Sequence, residues 1–225
     1  MENKKLTIKE AYEMFNSNNS KDFNFYLINE EDENNCGKVY SIDKYTNFGA
    51  INRLYIINKE NIKKILEAFV EKLEDENLVE EYDVEADVVN EVVDEIKNIE
   101  LDNIDYNKVY NLISKIDEQI SYEIVNDVLD NKSKVIEKAL RKNESSFDCL
   151  FEYNYIKKLI EKEKNGEVLV IAGDDYLTRI SEFDNIDESI VYYILYRKDD
   201  DNFRLFCEEN CDSYKILVQT KEEIS

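Results

Sequence analysis

The chain has strand-like segments at both ends and helix-like segments between them, and this order limits the folds open to it. Runs rich in β-branched and aromatic residues occur at 23–28, 38–42, 51–57, 167–172, 190–196, 203–206 and 214–219. In the part between the third and fourth runs, apolar residues recur at the spacing of amphipathic helices. Strands grouped apart from helices indicate an α+β fold with antiparallel strands, rather than a parallel α/β sheet.

We divide the chain into three regions that pack as one or two domains. Residues 1–58 hold a helix from Ile8 to about Phe15, begun by the capping box of Thr7 and Glu10, and three strands whose loops suit an antiparallel meander. Residues 59–165 form a helical block, and residues 166–225 a β-rich region. In the last region, Arg197–Asn202 is expected to be the turn of a β-hairpin. The sequence leaves open whether the two β-rich ends share one sheet.

About five amphipathic helices are expected in the central block. The first runs from Lys59 to about Asp75 with Asn58 as its N-cap, and the second lies within 84–100. A third begins near Val109 and extends through Ile120 towards Leu129. The last two are marked by apolar residues at helical spacing, and Asn165–Gly166 ends the fifth. Those markers are Val135, Ile136, Ala139 and Leu140 for the fourth helix, and Tyr155, Ile156, Leu159 and Ile160 for the fifth.

The negative charge is concentrated in one segment. The chain has a net charge of −23, and residues 71–105 hold 15 acidic and 2 basic residues, a net −13. On the helix within 84–100, four carboxylates recur at spacings of four, three and four on a face away from the apolar stripe of Val89, Val92, Val93 and Ile96. Further acids precede them. The candidate binding residues here are Glu80, Glu81, Asp83, Glu85, Asp87, Glu91, Asp94 and Glu95.

Two interpretations of this acidic helix stand side by side. It is either a solvated face that only favours solubility, or a surface that imitates a nucleic-acid backbone. Residues 168–225 add a net −8, with a second candidate cluster at Asp199, Asp200 and Asp201. A rigid array of carboxylates of this kind could occupy a protein groove lined by Lys and Arg. Its binding would be steered by charge and sensitive to salt.

The charge pattern is similar to that of nucleic-acid-mimicking inhibitors, which include phage-encoded anti-restriction and anti-CRISPR proteins. This resemblance implies a non-enzymatic inhibitor whose partner is a basic, nucleic-acid-binding nuclease or effector, with a defence nuclease as the leading candidate. An immunity protein that neutralises a cationic toxin is the alternative in the same physical class. Direct nucleic-acid binding is disfavoured, because the Tyr-rich strand at 192–196 lies in a region of net negative charge.

Catalysis has little support in the composition. The chain has no His, which excludes Ser-His and Cys-His couples and His-ligated zinc. Asp174 and Asp175 follow a buried strand and are the weak candidates for a Mg²⁺ site, so a carboxylate-metal phosphoryl-transfer enzyme is the alternative from another class. Neither a phosphate-binding loop nor a second acidic motif accompanies them. We expect no cofactor.

A cytoplasmic location is expected from three features, and the resemblance to phage-encoded inhibitors implies a bacterial or phage-infected host cell. Met1–Lys5 leads into a polar helix rather than an apolar signal-peptide core, and no apolar run is long enough to span a membrane. The four Cys (Cys36, Cys149, Cys207 and Cys211) are scattered in a way that favours reduced thiols over a disulfide framework.

Overall fold

The structure is a computed structural model that describes residues 4–31, 35–47, 53–75, 84–116, 118–129, 134–135, 150–173, 177–182, 186 and 190–221. The α-helices among these residues are α1 (Ile8–Phe15), α2 (Ile62–Leu73), α3 (Ala86–Lys97), α4 (Tyr106–Ile113), α5 (Glu118–Leu129) and α6 (Tyr153–Lys164). The strands are β1 (Lys4–Leu6), β2 (Phe23–Asn29), β3 (Asn35–Asn47), β4 (Arg53–Ile57), β5 (Lys134–Val135), β6 (Leu150–Glu152), β7 (Leu169–Gly173), β8 (Leu177–Arg179), β9 (Ile190–Lys198), β10 (Asp201–Glu208) and β11 (Tyr214–Thr220).

The chain folds into two compact units. The sheet unit comprises Met1–Asn47, Leu150–Asn154 and Asn185–Ser225, and the helical unit comprises Phe48–Cys149 and Tyr155–Asp184. Strand pairings among the described residues are antiparallel throughout. The α+β class is therefore confirmed, and strands lie towards both ends of the chain. The number and grouping of the helices differ in detail from the expectation.

The sheet unit is built on a sheet with the strand order β1-β11-β2-β3-β9-β10, in which β6 also pairs with β3. Strands from the two ends of the chain therefore lie in one sheet. Helix α1 packs its apolar side on one face, where the rings of Phe15 and Phe25 lie 5.0 Å apart and those of Tyr12 and Tyr192 lie 5.5 Å apart. The predicted capping box begins this helix, with Thr7 and Glu10 bonded to each other's backbone N–H groups.

Gly37 lies where β3 passes closest to β9. Its φ of 136° falls in a region that residues with a side chain rarely adopt, and a Cβ atom added there would lie 2.1 Å from the carbonyl oxygen of Arg197. The predicted strand at 38–42 is in fact longer, because β3 begins at Asn35, continues through Gly37 and ends at Asn47. Glycine thus allows one long central strand to pair with three neighbours, β2, β6 and β9.

The third predicted N-terminal strand does not continue the meander. β4 pairs with β5 and β7 in a second sheet of order β5-β4-β7-β8. Both edges of β3 are already occupied, by β2 and β6 on one side and β9 on the other. Tyr55 and Ile57 of β4 are buried in the core of the helical unit, which explains the apolar character of this strand.

In the helical unit, α2 to α5 share one core with β4 and β7, and this core draws on the apolar stripe of each of these helices. The first predicted helix of the central block, α2, begins at Ile62, three residues later than expected, because Asn58 and Asn61 form a turn. The Asn61 side chain accepts from the Asn58 N–H at 2.8 Å and donates to the Ile56 carbonyl at 2.8 Å. The stripe of Val89, Val92, Val93 and Ile96 on α3 is buried as predicted.

Two other helix predictions were wrong in part. The third expected helix is two helices, α4, which ends at Ile113, and α5, which begins at Glu118. The buried Ser121 hydroxyl donates to the Ile113 carbonyl at 2.7 Å, and this bond satisfies the end of α4 from the next helix. In the fourth expected helix, Val135 instead belongs to β5, where this β-branched residue pairs with Arg53. Its other markers, Ile136, Ala139 and Leu140, lie outside the described residues.

The C-terminal strands occur near their predicted positions, although β7 begins at Leu169 and pairs with β4 in the second sheet. α6 is followed by Gly166 at φ 71°, and β9 and β10 form the expected hairpin with Asp199 and Asp200 between the paired residues Lys198 and Asp201. Tyr192 is buried in β9 and Tyr193 is half-buried. Among the described helices, none is both long enough and apolar enough to cross a membrane.

Candidate functional site

The acidic helix α3 presents its carboxylates opposite its buried stripe. The 12-residue helix begins at Ala86 after Glu85, whose side chain makes no capping bond. Asp87 lies in the first turn, where a negative charge interacts favourably with the helix dipole. Asp87, Glu91 and Asp94 follow at spacings that place them on one side of the helix. The structure thus orients the predicted acids of α3 away from the core.

Two of these acids are neutralised by lysines that lie beyond the acidic segment. Lys115 Nζ lies 2.6 Å from Glu91 Oε1 and 3.5 Å from Glu95 Oε1, and Lys108 Nζ lies 3.4 Å from Glu95 Oε2. We call these four residues the α3–α4 ion-pair cluster. Lys108 is on α4, and Lys115 follows its last turn, so packing of α4 beside α3 creates the cluster.

The cluster shifts the pKa values of its members in the expected directions. The hydrogen bond from Lys108 is the main cause that lowers the pKa of Glu95 below its usual 4.5, and the charge of Lys115 adds to it. The hydrogen bond to Glu91 chiefly raises the pKa of Lys115. Glu91 is exposed and Glu95 is partly exposed, so each ion pair contributes little to stability. These ion pairs offset the negative charges of Glu91 and Glu95, and the charged groups stay in contact with solvent.

Asp87 and Asp94 remain as the uncompensated acids of the helix. No ion pair or hydrogen bond to their carboxylates occurs within the described part of the chain. They lie two helical turns apart, about 10 Å along the axis. Glu85 precedes them and is exposed. The other candidates in this segment, Glu80, Glu81 and Asp83, lie outside the described residues.

The second candidate cluster forms the β9–β10 hairpin of the sheet unit. Asp199 has a φ of 56°, a turn conformation that Asp tolerates better than most residues. Arg197 donates from Nε to the Asp199 carbonyl at 3.0 Å and from Nη2 to Asp200 Oδ1 at 3.1 Å. Asp201 begins β10 and is exposed. Turn geometry therefore accounts for Asp199 and Asp200, and this cluster belongs to a different unit from α3.

Sequence reasoning missed Glu163, a buried carboxylate in the helical unit. Its Oε1 accepts from the Val170 N–H at 2.9 Å and lies 3.4 Å from Arg179 Nε, while its Oε2 accepts from the Ser181 N–H at 2.9 Å. Its side chain is fully buried. The signal was present, because Glu163 continues the helical spacing of buried Ile156 and Leu159, where an apolar residue would be expected.

The structure gives no geometry for the possible Mg²⁺ site of the sequence. Asp174 and Asp175 lie outside the described residues, between the end of β7 and the start of β8. Cys207 is buried, and burial raises the pKa of its thiol to about 12. Cys36, Cys207 and Cys211 form no disulfide with one another. In the described ranges, no group of three or more Cys, Asp or Glu has the arrangement of a metal site.

Comparison with known proteins gives no relative from which a function could be transferred. No protein-family description matches the chain, and no curated protein or solved structure is significantly similar to it. Function must therefore be argued from the surface and interior of this molecule alone.

Proposed function

We propose that this chain is a non-enzymatic inhibitor that binds the nucleic-acid-binding groove of a basic partner, with a defence nuclease as the target class. The observation that supports it most is the concentration of net −13 in residues 71–105. Four of these acids lie on α3, a helix whose opposite side is fixed by four buried residues. Charges on a fixed element cost little to order on binding, which favours recognition of phosphate-binding Lys and Arg side chains.

The ion pairs of Glu91 and Glu95 reduce the part of the α3 surface that is available to bind cations of a partner. Glu91 and Glu95 already share Lys108 and Lys115, so a partner cation would compete with an internal one. Asp87 and Asp94 have no such competitor among the described residues. The proposal therefore assigns the main contacts on α3 to Asp87 and Asp94, with Glu85 and the acids that precede it in the sequence as further candidates.

A two-site variant tests this assignment with little risk to the fold. The variant Asp87→Asn/Asp94→Lys removes two negative charges and adds one positive charge, a net change of +3. It keeps a polar residue that favours the N-terminal end of a helix in the first turn of α3. The matched control Glu13→Gln/Glu208→Lys makes the same charge change on two exposed residues of the sheet unit that are not candidate binding residues. It avoids Asp199, whose turn conformation is special, and Asp200, which pairs with Arg197.

Wild-type protein, variant and control serve as baits in an extract of the native host, with and without added DNA or RNA. We expect a partner that wild type and control retain, that the α3 variant loses, and that nucleic acid displaces. With the purified partner, the association rate should fall roughly tenfold for the α3 variant and decrease with salt. Equal association rates for all three proteins, with unchanged salt dependence, would leave α3 as a solvated face.

The identity of the captured partner separates the two related functions. A nucleic-acid-binding nuclease whose substrate competes for the same surface supports the proposed inhibitor. A secreted or cationic toxin that does not bind nucleic acid would instead indicate an immunity protein. Turnover of a nucleotide or nucleic acid with Mg²⁺ or Mn²⁺, abolished by Asp174→Ala, would contradict the non-enzymatic proposal.

A further inference from the structure

A groove runs along α2 in the helical unit, on the side that α2 shares with residues 96–101. It encloses about 510 Å³. Leu66 and Val70 of α2 form its floor with Ile96, Ile99 and Leu101. Leu101 is 39% exposed, one of few large apolar side chains so exposed among the described residues. The groove therefore presents apolar surface that the fold itself does not cover in the described structure.

The α2 residues of the groove follow a helical stripe. They extend over three turns, about 16 Å along the helix axis. A stripe at such spacing is the surface that a second helix packs against, with its own residues at i, i+3, i+4 and i+7. Its members are Lys63, Leu66, Glu67, Val70, Glu71 and Glu74.

The rim of the groove is acidic. Four acids line it against two lysines. Lys63 lies 3.6 Å from Glu67, and Lys97 lies 2.8 Å from Glu74, which leaves Glu71 without an ion pair among the described residues. An occupant with positive charges would complement this rim. The residues that follow α2 in the sequence are a poor match, because residues 76–83 contain four acids and no base.

We infer that this groove binds a basic amphipathic α-helix of the partner protein. The apolar face of that helix covers Val70, Ile99 and Leu101, and its Lys or Arg side chains lie along the rim near Glu71. The inference rests on the proposed function for the charge of the partner, but adds a different kind of contact. Apolar burial in the groove slows dissociation, whereas the charges of α3 speed encounter.

A synthetic peptide tests the groove without knowledge of the native partner. The probe is a fluorescein-labelled, 18-residue amphipathic helix of Leu and Lys, compared with a Lys-Gly peptide of equal charge that lacks the apolar face. Binding is followed by fluorescence anisotropy at 0.15 M salt, where long-range attraction to a protein of charge −23 is screened. We expect the amphipathic peptide to bind at least tenfold more tightly than the Lys-Gly peptide.

Uncharged substitutions then locate the site. Leu101→Asn with Val70→Thr should weaken the amphipathic peptide about tenfold, as expected for loss of a central apolar contact. Tyr40→Asn with Phe203→Asn changes two comparably exposed apolar residues of the sheet unit, and should have less than about a twofold effect. The single variant Glu71→Lys, at an exposed position without an ion pair, should weaken binding several-fold even if the double variant fails to fold.

Three results would overturn the inference. One is equal affinity of wild type, groove variants and control for the peptide, since this indicates binding to negative charge in general. Another is the absence of binding to wild type. The third is concentration-dependent dimerisation that Leu101→Asn abolishes, which would assign the groove to a second copy. If the peptide binds at the groove but the host extract yields no basic partner, the groove is confirmed as a binding site for a basic helix and the proposed inhibitor function is contradicted.

Discussion

The interior of the helical unit and its acidic α3 face hold the same chemical group in opposite situations. Glu163 is fully buried, and two backbone N–H groups and Arg179 surround its carboxylate. Glu91 and Glu95 are exposed, and flexible lysine side chains are their partners in the ion-pair cluster. The buried carboxylate connects α6 to β7 and to the turn after β8. The exposed carboxylates contribute little to stability, so they can be substituted without loss of the fold. This surface can therefore be adapted to binding.

The largest expected effect comes from truncating the buried carboxylate. Glu163→Ala leaves the Arg179 charge and two buried N–H groups without their acceptor, and we expect the free energy of unfolding to fall by about 3–5 kcal/mol. Urea unfolding followed by circular dichroism measures it. Glu161→Ala, on the exposed side of the same helix, is the control and should change stability by less than about 0.5 kcal/mol. Similar losses for both variants would contradict the contrast between interior and surface.

Two buried tyrosines extend the contrast to hydroxyl groups. Tyr55 donates from its hydroxyl to Asn126 Oδ1 at 2.6 Å, whereas the Tyr192 hydroxyl of the sheet unit is buried without a hydrogen-bond partner among the described residues. Tyr55→Phe should therefore cost about 1 kcal/mol, and Tyr192→Phe should be neutral or stabilising, because it removes an unsatisfied group. Unfolding free energies of the two variants, measured side by side, check the prediction. A larger loss for Tyr192→Phe would refute it.

Tyr55 also predicts a dependence of stability on alkaline pH. Burial is the main cause that raises the pKa of Tyr55 from its usual 10.0 to about 12. Between these values the unfolded chain loses this proton and the folded chain keeps it, so the stability due to Tyr55 is complete below about pH 10 and is lost as pH rises towards 12. Urea unfolding at pH 9, 10 and 11 should show a shallower decline for Tyr55→Phe than for wild type. Parallel declines would contradict the assignment.

The contrast also shows which features the sequence can predict. The helix at Ile8–Phe15 and the stripe of α3 depend on residues close in sequence, a capping box and a periodic pattern, and both were predicted correctly. The placement of β4 in the second sheet depends on which edges of β3 are occupied by strands from the other end of the chain. Pairings of that kind leave no local signal.

The candidate site could likewise be predicted only where it depends on residues close in sequence. The acidic face of α3 followed from spacing along one helix. Its partial neutralisation did not, because Lys115 is 24 residues from Glu91 and reaches it only through the packing of α4 beside α3. The break between α4 and α5 was hidden in a continuous apolar period from Val109 to Ile120. The groove along α2 could not be predicted either, because the sequence shows that Leu101 is apolar but not whether it is buried or exposed.

The smallest expected effect distinguishes neighbouring acids on α3. Glu95→Lys removes two ion pairs and places a third cation beside Lys108 and Lys115, so it should lower the melting temperature slightly, on the order of a degree or two. Asp94→Lys makes the same charge change one residue earlier, where no cation is paired. A positive charge in the last turn of a helix also interacts favourably with its dipole, so the melting temperature should stay constant or rise.

The same pair separates stability from binding. The destabilising effect of Glu95→Lys should become smaller as pH falls below 4.5, because the pKa of the Glu95 carboxylate is lowered and its ion pairs are lost as pH falls through that lowered pKa. The repulsion between the introduced cation, Lys108 and Lys115 remains at both pH values. Asp94→Lys should affect the partner complex more than Glu95→Lys, although it affects the fold less, because only Asp94 offers an uncompensated charge. Thermal melts at pH 7 and pH 3.5, together with association rates for both variants, measure the two effects. If Glu95→Lys weakens the partner complex more while leaving the melt unchanged, the ion-pair cluster does not compensate Glu95, and the binding surface extends across both helices.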